Sequence, residues 1–207
     1  GRIPMILWGD DCRVGIESTV LDLTGETPLI LRPGILTPTE LEQVLRCHVG
    51  IDPAVLADPR KGADEPNPER AFGHEAGLTP DLIPAPKAPG MKYTHYAPKA
   101  AMIVYQGERS QVEKAIYQKK KEEEEDGKTV GVILFPEAAL REAAHDFFGR
   151  LRDMDDQGTD LILAGALNEA NEIGFAVMNR MLKSAGYVKT NGEDNNDDCN
   201  RCRSRRL

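Results

Sequence analysis

The chain has few cysteines, no long hydrophobic run and no excess of positive charge. Its four cysteines, Cys12, Cys47, Cys199 and Cys202, are scattered through 207 residues. That scatter is not the framework of a small secreted disulfide protein, so a reducing cytoplasm is the expected compartment. Cys199 and Cys202 supply only half of a zinc site, with no second pair nearby. No apolar run approaches the roughly 20 residues that span a bilayer, so no membrane partner is expected. The opening residues GRIPMILWGDD are too short in their apolar part for a signal peptide, and no small-residue cleavage site follows. The net charge of −8 argues against a general nucleic-acid or anionic-membrane surface but leaves room for a local cationic pocket.

Catalytic fingerprints are missing as well. No G-x-G-x-x-G follows the apolar run at 129–135, no G-x-x-x-x-G-K-[ST] occurs, and no nucleophile elbow is present. Glu17 and Ser18 are neighbours in a predicted strand and so point to opposite faces, which rules them out as a dyad. His48 and His145 fall in predicted helices without metal-ligand spacing, and His74 lies in a polar stretch. No catalytic residue and no metal ligand is assigned.

What is present reads as an α/β protein. Residues 3–8 (IPMILW) predict a short buried strand. Val14–Leu23 is rich in β-branched residues and predicts another, paired with Pro28–Arg32 across a turn. With a three-residue loop at 24–26, Ser18 lies directly across from Arg32; a loop one residue longer puts them on opposite faces. The shorter loop is favoured because it sets a hydroxyl beside a guanidinium. Thr37, Pro38 and Glu40 predict a capping box and a helix with Leu41, Val44 and Leu45 on its apolar side, ending near Gly50. Eight of the 14 prolines fall in residues 51–90, which read as a long linker.

Beyond it, strand and helix alternate three times. The predicted strands are 101–105, 129–135 and 160–164. The helices begin at a second capping box formed by Ser110 and Glu113, run through Leu140, Ala144, Phe147, Phe148 and Leu151, and end through Ile173, Val177, Met181 and Ala185. That alternation predicts a small parallel-sheet domain. The charge run from Lys119 to Glu125 reads as a solvated, fraying face, and the tail from Asn191 as disordered.

Two places hold side chains suited to a nucleotide. Arg32 leaves a strand just before Pro33-Gly34, where its fork of donors can meet a phosphate, while Ser18 can donate to a carboxylate or hydroxyl. On local chemistry alone a surface ion pair and a backbone-bonded hydroxyl serve these residues equally well. The stretch Ala88–Pro98 (APGMKYTHYAP) packs Lys92, Tyr93, His95 and Tyr96 into five residues between prolines. By composition it is either an anchored linker or an irregular nucleotide-contacting segment.

The three motifs VGIESTVLDL, ILRPG with TPTELEQVL, and APGMKYTHYAPKA, in this order and spacing, resemble the long, two-domain form of the YrdC family, the L-threonylcarbamoyladenylate synthases. The later LRDMDDQGTDLILA and GFAVMNRMLKSA are similar to the extra C-terminal domain of that form. The resemblance implies a partial YrdC-like α/β domain at residues 1–50, a Pro-rich linker with a lid at 51–100, a Rossmann-like domain at 101–188 and a tail at 189–207. The family's Lys/Arg phosphate-binding motif and Ser-x-Asn segment have no counterpart here, so the chain reads as a C-terminal portion. The implied reaction joins L-threonine, bicarbonate and ATP into threonylcarbamoyl-AMP and pyrophosphate, with Mg2+ accompanying ATP, for the t6A modification of tRNA. Ser18 is then implied as an L-threonine contact, Arg32 and Tyr96 as ATP contacts, and Lys92, Tyr93 and His95 as parts of the lid. Other proteins of tRNA threonylcarbamoyl transfer are implied partners, with no direct nucleic-acid binding. The rival reading is a non-catalytic module that keeps only a nucleotide-sensing or interaction domain.

Overall fold

The computed structural model describes residues 3–5, 7, 9, 12–56 and 97–192. The first part of the chain forms a small mixed sheet. β1 (Val20–Asp22) pairs antiparallel with β2 (Leu29–Arg32), and β2 pairs parallel with β3 (Gly50–Ile51), in the order β1-β2-β3. Between β2 and β3 lies helix α1 (Pro38–Leu45); the short α2 (Pro53–Leu56) follows β3. The predicted capping box is present: Thr37 Oγ1 accepts from the Glu40 amide at 3.2 Å, and Glu40 Oε2 accepts from the Thr37 amide at 2.9 Å. Two orphan amides are satisfied reciprocally, which anchors the start of α1.

The second part runs β4 (Ala101–Gln106), α3 (Arg109–Glu125), β5 (Val130–Ile133), α4 (Leu140–Asp156), β6 (Leu161–Gly165), α5 (Glu172–Ser184) and β7 (Lys189–Asn191). These four strands make a parallel sheet in the order β5-β6-β4-β7. β6 lies inside it with every residue buried, which accounts for its unbroken apolar sequence. Its side chains alternate between faces. Leu161 and Leu163 join Val112 and Ile116 of α3; Ile162 and Ala164 join Phe147 of α4 and Val177, Met178 and Met181 of α5. Each large side chain buried this way contributes about 1.5–3 kcal/mol. Sequence periodicity and packing agree here because both faces of the sheet are covered.

Several expectations are corrected. No described residue of 3–8 lies in a strand, and Ile3, Met5 and Leu7 are exposed; apolarity makes no strand without a ladder partner. The strand expected over Val14–Leu23 is reduced to Val20–Asp22, since Val14–Thr19 departs to pack elsewhere. The hairpin register also differs. Val20 faces Arg32, Leu21 faces Ile30 and Asp22 faces Leu29, with a shift between Val20 and Leu21, so Ser18 is not the ladder partner of Arg32. A bulge supplies an extra residue that simple counting cannot place.

Helix α1 ends at Leu45, where Arg46 takes a left-handed φ of 56°, so His48 lies beyond the helix; Val44 is exposed rather than inward. At the start of α3 the cap is Glu108, which accepts from the Ser110 and Gln111 amides, while Glu113 pairs with Arg109 at 2.5 Å. An acid at the N-cap also answers the helix dipole, an option the Ser110 reading overlooked. The charge run is not wholly solvated either. Glu123 is buried between Lys119, at 3.0 Å, and Lys128. Burial would raise its carboxyl pKa, but the hydrogen bonds from Lys128 and Lys119 prevail and lower it. The short elements β3 and α2 inside the expected linker, and β7 inside the expected tail, were not legible from periodicity.

Candidate functional site

The first part of the chain lies against α4 and α5. The Gly15 amide donates to the Ala144 carbonyl of α4 at 3.0 Å, and a Cβ at Gly15 would stand 1.9 Å from the His145 carbonyl oxygen. Only glycine permits that approach. Ile16 follows into the same apolar cluster as Phe147, Phe148 and Met181. Further along, the Thr39 amide and hydroxyl both donate to Glu172 at the start of α5, at 3.1 and 2.8 Å. Burial would raise the Glu172 pKa, but hydrogen bonds from Thr37 and Thr39 outweigh it and hold the carboxyl below its usual range.

On this support Ser18 and Arg32 come together despite the shifted register. Arg32 Nε donates to the Ser18 carbonyl at 3.0 Å, and Nη2 donates to Ser18 Oγ at 3.2 Å. Ser18 is exposed and Arg32 half-buried. Because Oγ accepts from the guanidinium, the hydroxyl keeps its own hydrogen for a further acceptor. Gly34 makes the crossing possible, since a Cβ there would meet the Thr19 amide nitrogen at 2.5 Å and the Glu17 carbonyl at 2.7 Å.

Glu17 meets Arg180 of α5; because residues 17 and 18 lie outside β1, the alternation of strand neighbours does not apply to them. Arg180 is buried; that burial lowers its pKa, and the Glu17 charge works against the effect. One turn on, Lys183 is half-buried. Burial and the neighbouring Arg180 charge push its ammonium down to about 8, Glu17 opposing and Arg32 adding a smaller push. The site therefore gathers three cations and one carboxylate from two regions of the chain. Sequence reasoning missed Glu17, Arg180 and Lys183. The available signal was Arg180 itself, a charge set among the apolar positions Val177, Met178 and Met181.

A hollow of about 240 Å3 is lined by Gly15, Ile16, Glu17, Phe148 and Arg152; it adjoins Glu17, and Ser18 and Arg32 do not line it. Lys92, Tyr93, His95 and Tyr96 lie outside the described residues, as do Cys199 and Cys202. Among the described residues, no group of three or more His, Cys, Asp or Glu could hold a metal ion, and no helix is long and apolar enough to cross a membrane.

Residues 36–186 match the family described as threonylcarbamoyl-AMP synthase, C-terminal domain. The threonylcarbamoyl-AMP synthase of Pyrococcus abyssi (strain GE5 / Orsay) is 38% identical over 197 residues, covering 90% of this chain and 51% of that protein. The threonylcarbamoyl-AMP synthase of Bacillus subtilis (strain 168) is 30% identical over 202 residues, covering 90% of this chain and 50% of its own. Among solved structures, P. abyssi Sua5 complexed with L-threonine is similar with a TM-score of 0.66 at 36% identity, over 88% of this chain and 49% of that one. The chain thus spans about half the length of the curated relatives it matches.

Proposed function

The chain belongs to the threonylcarbamoyl-AMP synthase family, and from that premise we propose that the protein makes threonylcarbamoyl-AMP and pyrophosphate from L-threonine, bicarbonate and ATP. The observation that carries the reading is the Ser18 hydroxyl held 3.2 Å from the Arg32 guanidinium. One group suits a hydroxylated amino acid and the other a phosphate. A relative in this family has been crystallised with L-threonine, which supports threonine as the substrate here.

In this reading the carboxylate of N-carboxylated threonine attacks the α-phosphorus of ATP. A new O–P bond forms, the bond to the bridging oxygen breaks, and pyrophosphate leaves. No covalent protein nucleophile is required, only positioned reactants and cationic charge on the phosphates. Ser18 orients threonine and Arg32 offsets the phosphate charge. Tyr96 is assigned to ATP, and Lys92, Tyr93 and His95 are assigned the task of excluding water from the mixed anhydride. Mg2+ accompanies ATP in this reading, held by its phosphates. The product serves tRNA t6A modification in the cytoplasm, together with proteins that transfer the threonylcarbamoyl group.

The test is release of pyrophosphate by the full-length protein, dependent on both threonine and bicarbonate. Release that ignores either one, or no release at all, removes the proposal.

A further inference from the structure

Arg180 interrupts the apolar stripe of α5, yet is only 3% exposed. All three of its guanidinium nitrogens are engaged. Nε donates to the Glu17 carboxylate, Nη2 donates to the Pro33 carbonyl at 3.0 Å, and Nη1 donates to Asn179 Oδ1 at 2.8 Å. Asn179 in turn donates to the Val55 carbonyl at 3.3 Å, so the fork is itself held in place. Glu17 immediately precedes Ser18, and Pro33 immediately follows Arg32.

We propose that Arg180 is a positioning residue for the Ser18–Arg32 pair, gripping the chain beside each partner and coupling the site to the docking of the C-terminal domain. The proposal rests on the roles assigned to Ser18 and Arg32 above. Its physical basis is what the hairpin leaves undone. The ladder pairs Arg32 with Val20 and shifts between Val20 and Leu21, so Ser18, two residues beyond, lies outside the pairing that holds Arg32. The Glu17–Arg180–Pro33 bridge does so from outside. Two acceptors on separate segments call for a planar fork with donors at fixed angles, which a lysine, with its three donors on one rotating nitrogen, does not provide.

The full-length protein with Arg180→Lys tests this. The KM values for threonine and ATP should rise on the order of tenfold, with a smaller change in kcat, the pattern of a lost supporting contact. In an Arg32→Ala background the same change should add little to KM for ATP, because the group being aimed is gone. A merely structural role predicts a lower unfolding midpoint, an unchanged KM in the folded fraction, and equal effects in both backgrounds; that outcome overturns the proposal. Should Arg180→Lys fail to fold, Glu17→Gln carries the same test: a KM rise for both substrates supports the bridge and an unchanged KM overturns it. The proposed activity fails separately, through a wild-type protein that releases no pyrophosphate. Calorimetric titration of L-threonine then decides the inference: weaker binding by the variant supports it, and equal or no binding ends it.

Discussion

The two parts of this chain differ in how they are held together. The parallel-sheet part is built around residues that see no solvent, among them Phe135, Phe147, Ile162, Leu163 and Met181. The β1–β3 part buries few apolar residues of its own, chiefly Ile30, Leu31 and Val49, and leaves Leu23, Leu36 and Val44 exposed. It is attached through Gly15 on α4, Ile16 in the neighbouring core, Thr39 on Glu172, and the Arg180 bridge. One part supplies stability by burial, while the other presents Ser18 and Arg32 on a frame that it does not stabilise alone. A site carried by a lightly packed element takes its geometry from its neighbour, so damage to the two parts should have distinct signatures.

The largest effect should follow Phe147→Ala, which empties a fully buried position. A loss of about 3–5 kcal/mol is expected, read from urea unfolding, because the cavity cost adds to the lost transfer energy. A loss below about 1 kcal/mol would break the contrast between the two parts. Next comes Arg32→Ala, which should leave stability nearly unchanged and weaken ATP use by about 1.5–3 kcal/mol in kcat/KM, as for a hydrogen bond to a charged group. An unaltered kcat/KM for ATP would remove Arg32 from the site.

Thr37→Ala removes one half of the capping box together with the Thr37 hydrogen bond to Glu172 and should cost about 1 kcal/mol. Amide hydrogen exchange locates the damage: faster exchange confined to α1 is expected, and equal acceleration across α4 and α5 would show the two parts to be one cooperative unit.

The smallest effect concerns Lys183. Its folded pKa of about 8 lies below the ordinary 10.5, so the unfolded chain binds the extra proton between those values. Its contribution to stability is therefore flat below about pH 8 and rises as pH climbs towards 10.5. Arg180, Arg32 and Glu17 are among the charged groups that act on it. Lys183→Met should flatten that rise, as read from unfolding midpoints across the range. A variant with the same slope as wild type would show that other groups set it.

Legibility in the sequence followed the same division. The strands β4, β5 and β6 were readable because helices cover both faces of the sheet they form, and α4 and α5 announced their inward faces by spacing. The Thr37 capping box was readable because it is local. The hairpin register was not, because the bulge near Val20 arises from how Val14–Thr19 leaves the sheet to meet α4. β3 and β7 were not legible either, since a strand of two or three residues exists only by virtue of its partner.

Composition and periodicity determined the α/β class and the three strand-helix units, which depend on near neighbours along the chain and on repeating burial; side-chain chemistry only named Ser18 and Arg32 as candidates. Only the tertiary structure decided how that pair is held. The bonds that flank it run from Glu17 and Pro33 to Arg180, across a sequence separation of roughly 150 residues. No local preference encodes an interaction that exists only once both parts have folded and met.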